Sequence, residues 1–218
     1  MQASKNDNPD PPVNPIRLAE FALAITRIEQ APPARPTVVF AGRSNVGKSS
    51  LLNRLVGQRR LARTSSTPGR TQEIIYFNIE GTAWFVDLPG YGYAKVPLQI
   101  ARRWGPMVER FLRHAPDLRL VVLLVDARRD PAEKEFQLRD WLEEAGIPYI
   151  YAVTKIDKLT RSERPHKMKA LQRALGLESD DALIPVSAET GEGVADLLAV
   201  IRSVLQAESP ADDLPAGD

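Results

Sequence analysis

From Thr37 onward, short runs of β-branched and other apolar residues alternate with stretches in which apolar side chains recur every three or four positions. The first pattern reads as strand and the second as helix. It predicts strands at 37–41, 73–79, 82–87, 118–126, 149–154 and 182–185, and helices at 48–56, 98–114, 131–145, 161–175 and 194–206. Such alternation defines an α/β domain: a mostly parallel six-stranded sheet with helices on both faces. The Glu80-Gly81 turn is too short for a crossover and closes only an antiparallel hairpin, so one strand is expected to run against the others. Residues 21–28 suit an extra strand or a helix equally well. Ile100, Trp104, Met107, Val108 and Phe111 form one helical stripe, expected to face the core. Gly105-Pro106 interrupts it, and a proline there, lacking a backbone donor, is expected to kink or split the helix.

Composition narrows the class. The chain has 218 residues, 43% hydrophobic and 26% charged, as in an ordinary globular protein. Residues 1–15 and 207–218 are polar, Pro-rich or acidic and are expected to be disordered tails, leaving one domain over 16–206. The longest strongly apolar run, 120–125, has six residues, where a membrane-spanning helix needs about 20. No basic stretch precedes an apolar one at the start, and a cytoplasmic, membrane-free protein is expected. With no cysteine, disulfides, thiolate catalysis, iron–sulfur clusters and cysteine zinc sites are all excluded. His114 and His166, the two histidines, sit in no ligand pattern.

The net charge of +1 conceals segregation. Residues 30–72 hold eight basic side chains (Arg35, Arg43, Lys48, Arg54, Arg59, Arg60, Arg63 and Arg70) and no acid, whereas 174–218 hold ten acids against Arg202 alone. A further basic stretch, 155–173, carries seven Lys or Arg and two acids. Solvated faces explain such clusters as readily as a polyanionic partner does, except around Lys48.

There, directly after the first strand, stands Gly42-Arg43-Ser44-Asn45-Val46-Gly47-Lys48-Ser49, which fits G-x-x-x-x-G-K-S/T between a strand and a helix. Its glycines let backbone N–H groups wrap a phosphate, and the helix starting near Lys48 adds partial positive charge. Lys48 is expected to reach the β- and γ-phosphates, and Ser49, followed by Ser50, to ligate magnesium. The 149–154 strand runs into Thr154-Lys155-Ile156-Asp157, which has the shape of the guanine-reading N-K-x-D. A carboxylate at Asp157 accepts from both N1–H and the N2 amine of guanine; adenine offers no such pair. Lys155 covers the base with its aliphatic stem, and Thr154 replaces the usual asparagine. Val186-Ser187-Ala188 follows the last strand, with a backbone N–H, that of Ala188 by preference, for guanine O6.

The third strand ends in Asp87-Leu88-Pro89-Gly90. In this D-x-x-G, Asp87 is expected to hold a magnesium-bound water and the Gly90 N–H to sense the γ-phosphate, a contact that hydrolysis removes. Between the first helix and second strand lies a turn-rich segment containing Thr67, Gly69, Arg70 and Thr71. Thr71 is the expected magnesium ligand there, with Thr67 as the alternative.

Together these motifs resemble the TrmE-Era-EngA-YihA group of GTPases, and within it the EngB (YihA/YsxC) family. The resemblance rests on 42–49, on Thr-Pro-Gly-Arg-Thr-Gln at 67–72, on Asp-Leu-Pro-Gly-Tyr-Gly-Tyr-Ala at 87–94, and on Thr-Lys-Ile-Asp at 154–157. It spans roughly 16–206. It implies a single P-loop GTPase domain, binding of GTP and GDP with magnesium, a monomer, and a role in assembling the large ribosomal subunit through its rRNA and proteins. Era and EngA carry an appendage or second G domain that this pattern lacks. Where many GTPases place a water-orienting glutamine after D-x-x-G this chain has Tyr91, so intrinsic hydrolysis is expected to be slow. Asn45 stands where relatives bind an activating potassium ion; a turn residue bonding its own loop is the alternative. The basic residues Arg59, Arg60, Arg63 and Arg70 adjoin the switch and are expected to meet rRNA phosphates in one nucleotide state. A GTP-regulated protein-binding module and a P-loop small-molecule kinase are the rival readings.

Overall fold

The structure, a computed structural model, describes residues 16–62, 73–91, 98–178 and 182–207. Its strands are β1 (Ala19–Ile25), β2 (Thr37–Gly42), β3 (Ile74–Ile79), β4 (Ala83–Asp87), β5 (Leu118–Asp126), β6 (Tyr149–Thr154) and β7 (Leu183–Pro185). The helices are α1 (Lys48–Leu55), α2 (Leu98–His114), α3 (Glu133–Glu144), α4 (Glu163–Ala174) and α5 (Val194–Gln206). Apart from Ala207, both expected tails lie outside the described residues, as do Arg63, Thr67, Gly69, Arg70 and Thr71.

Among the described residues the sheet has seven strands in the order β1-β3-β4-β2-β5-β6-β7, not the six expected. The addition is β1, which pairs antiparallel with β3 from Ala19↔Ile79 to Ile25↔Ile74. Only its end residues Ala19 and Ile25 are buried, and a bulge between Phe21 and Leu23 shifts its register, so no clean period-two signal marks it. Because β3 is antiparallel to both β1 and β4, it alone opposes the other strands, as the tight Glu80-Gly81 turn requires.

β2, β4, β5, β6 and β7 are parallel, and β2 is the central one, with Val38, Val39, Phe40 and Ala41 all fully buried. Alternate residues face opposite sides. Val39, Val86, Val121, Leu123 and Tyr151 pack with Val108 and Phe111 of α2, Leu142 of α3 and Leu171 of α4. Val38, Phe40, Phe85, Val122 and Ala152 pack with Leu51 and Leu52 of α1 and Leu198 and Ile201 of α5. Each buried Val, Leu, Ile or Phe among them contributes about 1.5–3 kcal/mol of hydrophobic stabilisation.

Of the kink or split expected at Gly105-Pro106, the split is corrected: α2 is one continuous helix through Pro106. Pro106 is exposed, so its ring sits on the solvent side. Val108 and Phe111, buried on the predicted stripe with Met107 partly buried, anchor the helix to the sheet; the Phe111 ring meets Tyr76 of β3 edge-on at 6.2 Å. Tertiary packing here outweighs the local breaker.

Candidate functional site

Parallel strands all end on one edge of the sheet, and β2 lies where the chain order turns: β4 follows on one side and β5 on the other. Loops leaving such a point diverge and form a crevice. The 42–49 loop leaves β2, the 87–90 loop leaves β4, the 154–157 loop leaves β6 and the 186–188 loop leaves β7.

The 42–49 loop is bonded to its neighbours on both sides. Arg43 bridges to Tyr91 in parallel fashion; the Ser44 N–H donates to the Tyr91 carbonyl at 2.8 Å and the Tyr91 N–H to the Gly42 carbonyl at 3.4 Å. Gly47 turns the chain into α1 at φ +109°, a conformation closed to other L-residues without strain. α1 then begins at Lys48, leaving first-turn N–H groups without intrahelical partners. Lys48 Nζ forms an ion pair with Asp87 Oδ1. Ser49 is partly buried and Ser50 exposed. Leu88 is buried, with its N–H on the Phe40 carbonyl at 3.1 Å, and Pro89 is partly buried. At Gly90 a Cβ would lie 2.9 Å from Ser44 Oγ and 3.0 Å from the Ser44 backbone, so only glycine lets these two loops meet. Ser44 Oγ is itself buried with no hydrogen-bond partner among the described residues.

The other end is built from β6 and β7. The Thr154 hydroxyl lies 2.7 Å from the Val46 carbonyl and 3.1 Å from the Val125 carbonyl, so it ties the 42–49 loop to β5 and β6. Lys155, at φ +62°, extends Nζ to the Asn45 carbonyl and, at 3.0 Å, to Asp126 Oδ2. Ile156 is buried beneath it. Asp157 Oδ1 accepts from Ser187 Oγ at 2.7 Å and Oδ2 pairs with Lys158 at 3.0 Å. Burial opposes ionisation of Asp157, but those donors prevail and hold its carboxyl below the usual range. Val186 and Ser187 are buried and Ala188 partly buried. The Val186 N–H joins the Val153 carbonyl at 2.8 Å, which fixes this loop to β6.

Two acids escaped the sequence reading. Asp126, the last residue of β5, accepts from Lys155, from the Arg128 side chain and from the Arg128 N–H at 3.1 Å. Burial raises its pKa, yet these donors outweigh it and hold the carboxyl well below the ordinary value. Its signal was an aspartate ending a strand adjacent to the P-loop strand. Glu135 lies in the first turn of α3, buried, 3.7 Å from Arg43 Nε; a helix-start glutamate reads locally as a cap, and nothing local shows the loop it meets.

The fold and this crevice define a P-loop GTPase domain. A family model described as "50S ribosome-binding GTPase" matches residues 37–155, and one for the elongation factor Tu GTP-binding domain matches 108–207. A protein of Geobacter metallireducens described as "Probable GTP-binding protein EngB" is 47% identical over 193 residues, covering 88% of this chain and 94% of its own. A Pelotomaculum thermopropionicum protein of the same description is 47% identical over 187 residues, 85% and 94% of the two chains. The crystal structure of a probable GTP-binding protein engB superimposes with a TM-score of 0.67 at 29% identity, covering 78% of this chain and 98% of that one. This chain belongs to the EngB family of GTP-binding proteins and is a GTPase.

Proposed function

We propose that this GTPase is a nucleotide-dependent switch that joins the large ribosomal subunit or its precursor in the cytoplasm. The observation that carries the reading is the placement of exposed Arg59 and Arg60 just after α1, in a stretch of sequence without an acid from residue 30 to 72. Cations placed there face rRNA phosphates when the loops adopt one state and withdraw in the other. The family model's description names the large subunit as the partner of related GTPases. Among the described residues no helix is long and apolar enough to cross a membrane.

In hydrolysis, the loop N–H groups and Lys48 neutralise phosphate charge, and the Gly90 N–H contacts the γ-phosphate. The Asp157 carboxylate accepts from the guanine N1–H and N2 amine, Lys155 covers the base, and the Ala188 N–H meets O6. Magnesium fits the donors present: Ser49 and buried Asp87 offer hard oxygens beside Lys48, and such an ion takes its other oxygens from phosphate and water. Asp87 would hold it through water, with Thr71 as a further ligand; bound there, it supplies charge neutralisation at the β- and γ-phosphates. Tyr91 offers no amide to orient water, which keeps the unassisted rate low. Asn45 is exposed, at φ +64° in the 42–49 loop, and is the residue assigned here to an activating potassium ion. Single-turnover hydrolysis is then faster in potassium than in sodium, and equal rates remove the ion.

Co-sedimentation with large subunits across nucleotide states is the direct test. The Arg59→Ala/Arg60→Ala/Arg63→Ala protein should bind subunits about tenfold more weakly with a salt slope shallower by about 2–3, while its GTP affinity stays unchanged. Wild-type protein that never sediments with subunits, yet captures a protein partner when GTP is bound, would make it a protein-binding module instead.

A further inference from the structure

Glu135 is an unusual residue to bury at the start of a helix. Capping α3 needs one acceptor for the Ala132 N–H, which Glu135 Oε2 provides at 3.1 Å. An uncompensated buried carboxylate is costly, and here it faces a cation and a phenol from elsewhere in the chain. Arg43, second residue of the P-loop, places Nε 3.7 Å from Oε1. The Tyr91 phenol, first residue after D-x-x-G, is hydrogen-bonded to the same side chain. Burial, and then the Glu135 charge, pushes that phenol well above its ordinary pKa, so it remains a donor at any working pH. One carboxylate on α3 therefore holds both loops at the phosphate end of the crevice.

The consequence for Gly90 follows from the backbone. Gly90 is bracketed by the Leu88 N–H on the Phe40 carbonyl at 3.1 Å and by the two Tyr91 bonds, to the Gly42 carbonyl at 3.4 Å and from the Ser44 N–H at 2.8 Å. Its close approach to Ser44 leaves no slack for a side chain. The side-chain anchor of this bracket is the Tyr91 ring, only 4% exposed and gripped by Glu135.

We infer that Glu135 is a positioning residue for triphosphate recognition: by gripping Tyr91 and Arg43 together, it holds the Gly90 N–H in register with the P-loop. This rests on Gly90 as the γ-phosphate contact. GDP has no γ-phosphate, so loosening the grip weakens binding of the triphosphate alone. A residue that serves only the stability of α3 would affect both nucleotides alike.

The test compares full-length wild type, Tyr91→Phe and Glu135→Gln by fluorescence titration with GDP and with the non-hydrolysable guanosine 5′-(β,γ-imido)triphosphate. Tyr91→Phe keeps the packed ring and loses one bond; Glu135→Gln keeps one acceptor for the cap and loses the charge facing Arg43. Each should weaken triphosphate-analogue binding about 5- to 20-fold with GDP affinity within about twofold, and the double variant should be no worse than Glu135→Gln alone, because both act through one contact. An unchanged analogue-to-GDP ratio, or equal loss for both, overturns the inference. If Glu135→Gln does not fold, Tyr91→Phe decides alone. Amide hydrogen exchange on wild type separates the two levels: if residues 88–91 are no better protected by the triphosphate analogue than by GDP, the γ-phosphate reading fails and takes this inference with it. If they are better protected while Tyr91→Phe and Glu135→Gln keep the wild-type affinity ratio, only the role of Glu135 is lost.

Discussion

Thr154 stands where an asparagine is usual in a guanine-reading loop, and its hydroxyl spans the Val46 and Val125 carbonyls. That hydroxyl ties the 154–157 loop to the 42–49 loop and to β5. Asp157 is placed with Ser187, so the last two sequence motifs meet through one 2.7 Å bond. Asp157→Asn should weaken GDP and GTP binding by at least about 100-fold, since an amide presents a donor where guanine N2 also donates. Xanthine nucleotides, which carry a carbonyl in place of that amine, should bind the variant better than guanine ones do, measurable by competition. Asp126 gives a stability test. Its folded pKa lies below the unfolded value of about 3.9, so its contribution is complete above that value and fades as pH falls through the folded one. Asp126→Asn should cost about 1–3 kcal/mol in urea unfolding at pH 7, steady down to about pH 5. The gap to wild type should narrow below about pH 4. Asp157 was legible because its motif has a chemical logic within four residues. Asp126 and Glu135 were not, since the partners that tie them to the 154–157 and 42–49 loops, Lys155 and Arg43, lie 29 and 92 positions away in sequence and only the folded chain unites them.

Helices and inner strands were legible to within two residues at each end, because a stripe or a β-branched run reports its own burial. β5 and α5 illustrate this: Val121, Val122, Leu123 and Leu124 are nearly or fully buried, and Leu197, Leu198 and Ile201 line one side of α5. β1 was ambiguous because an edge strand with an exposed middle has neither period. The split expected in α2 failed for the opposite reason: a strong local signal was overruled by packing of residues 107–111. The missing donor at exposed Pro106 remains a local defect, and Pro106→Ala should raise stability by about 1–2 kcal/mol in equilibrium unfolding. The gain is smaller than the full helix-propensity difference because proline also restricts the unfolded chain.

Across the whole molecule, the parallel strands bring the 42–49, 87–90, 154–157 and 186–188 loops to one edge of a sheet whose two faces are covered by helices. Order in the chain made that edge readable: P-loop, D-x-x-G, T-K-x-D and V-S-A each follow a strand. Only the extra strand lay outside this logic. β1 pairs with residues 74–79, so its register spans 49–60 positions of chain, from Ile25↔Ile74 to Ala19↔Ile79. During synthesis the segment 19–25 emerges first, yet its docking partner must wait until the hairpin strand has been made. The amino-terminal strand thus stays without its ladder partner until residues 74–79 have been made, and a nascent chain arrested before residue 74 has nowhere to place it.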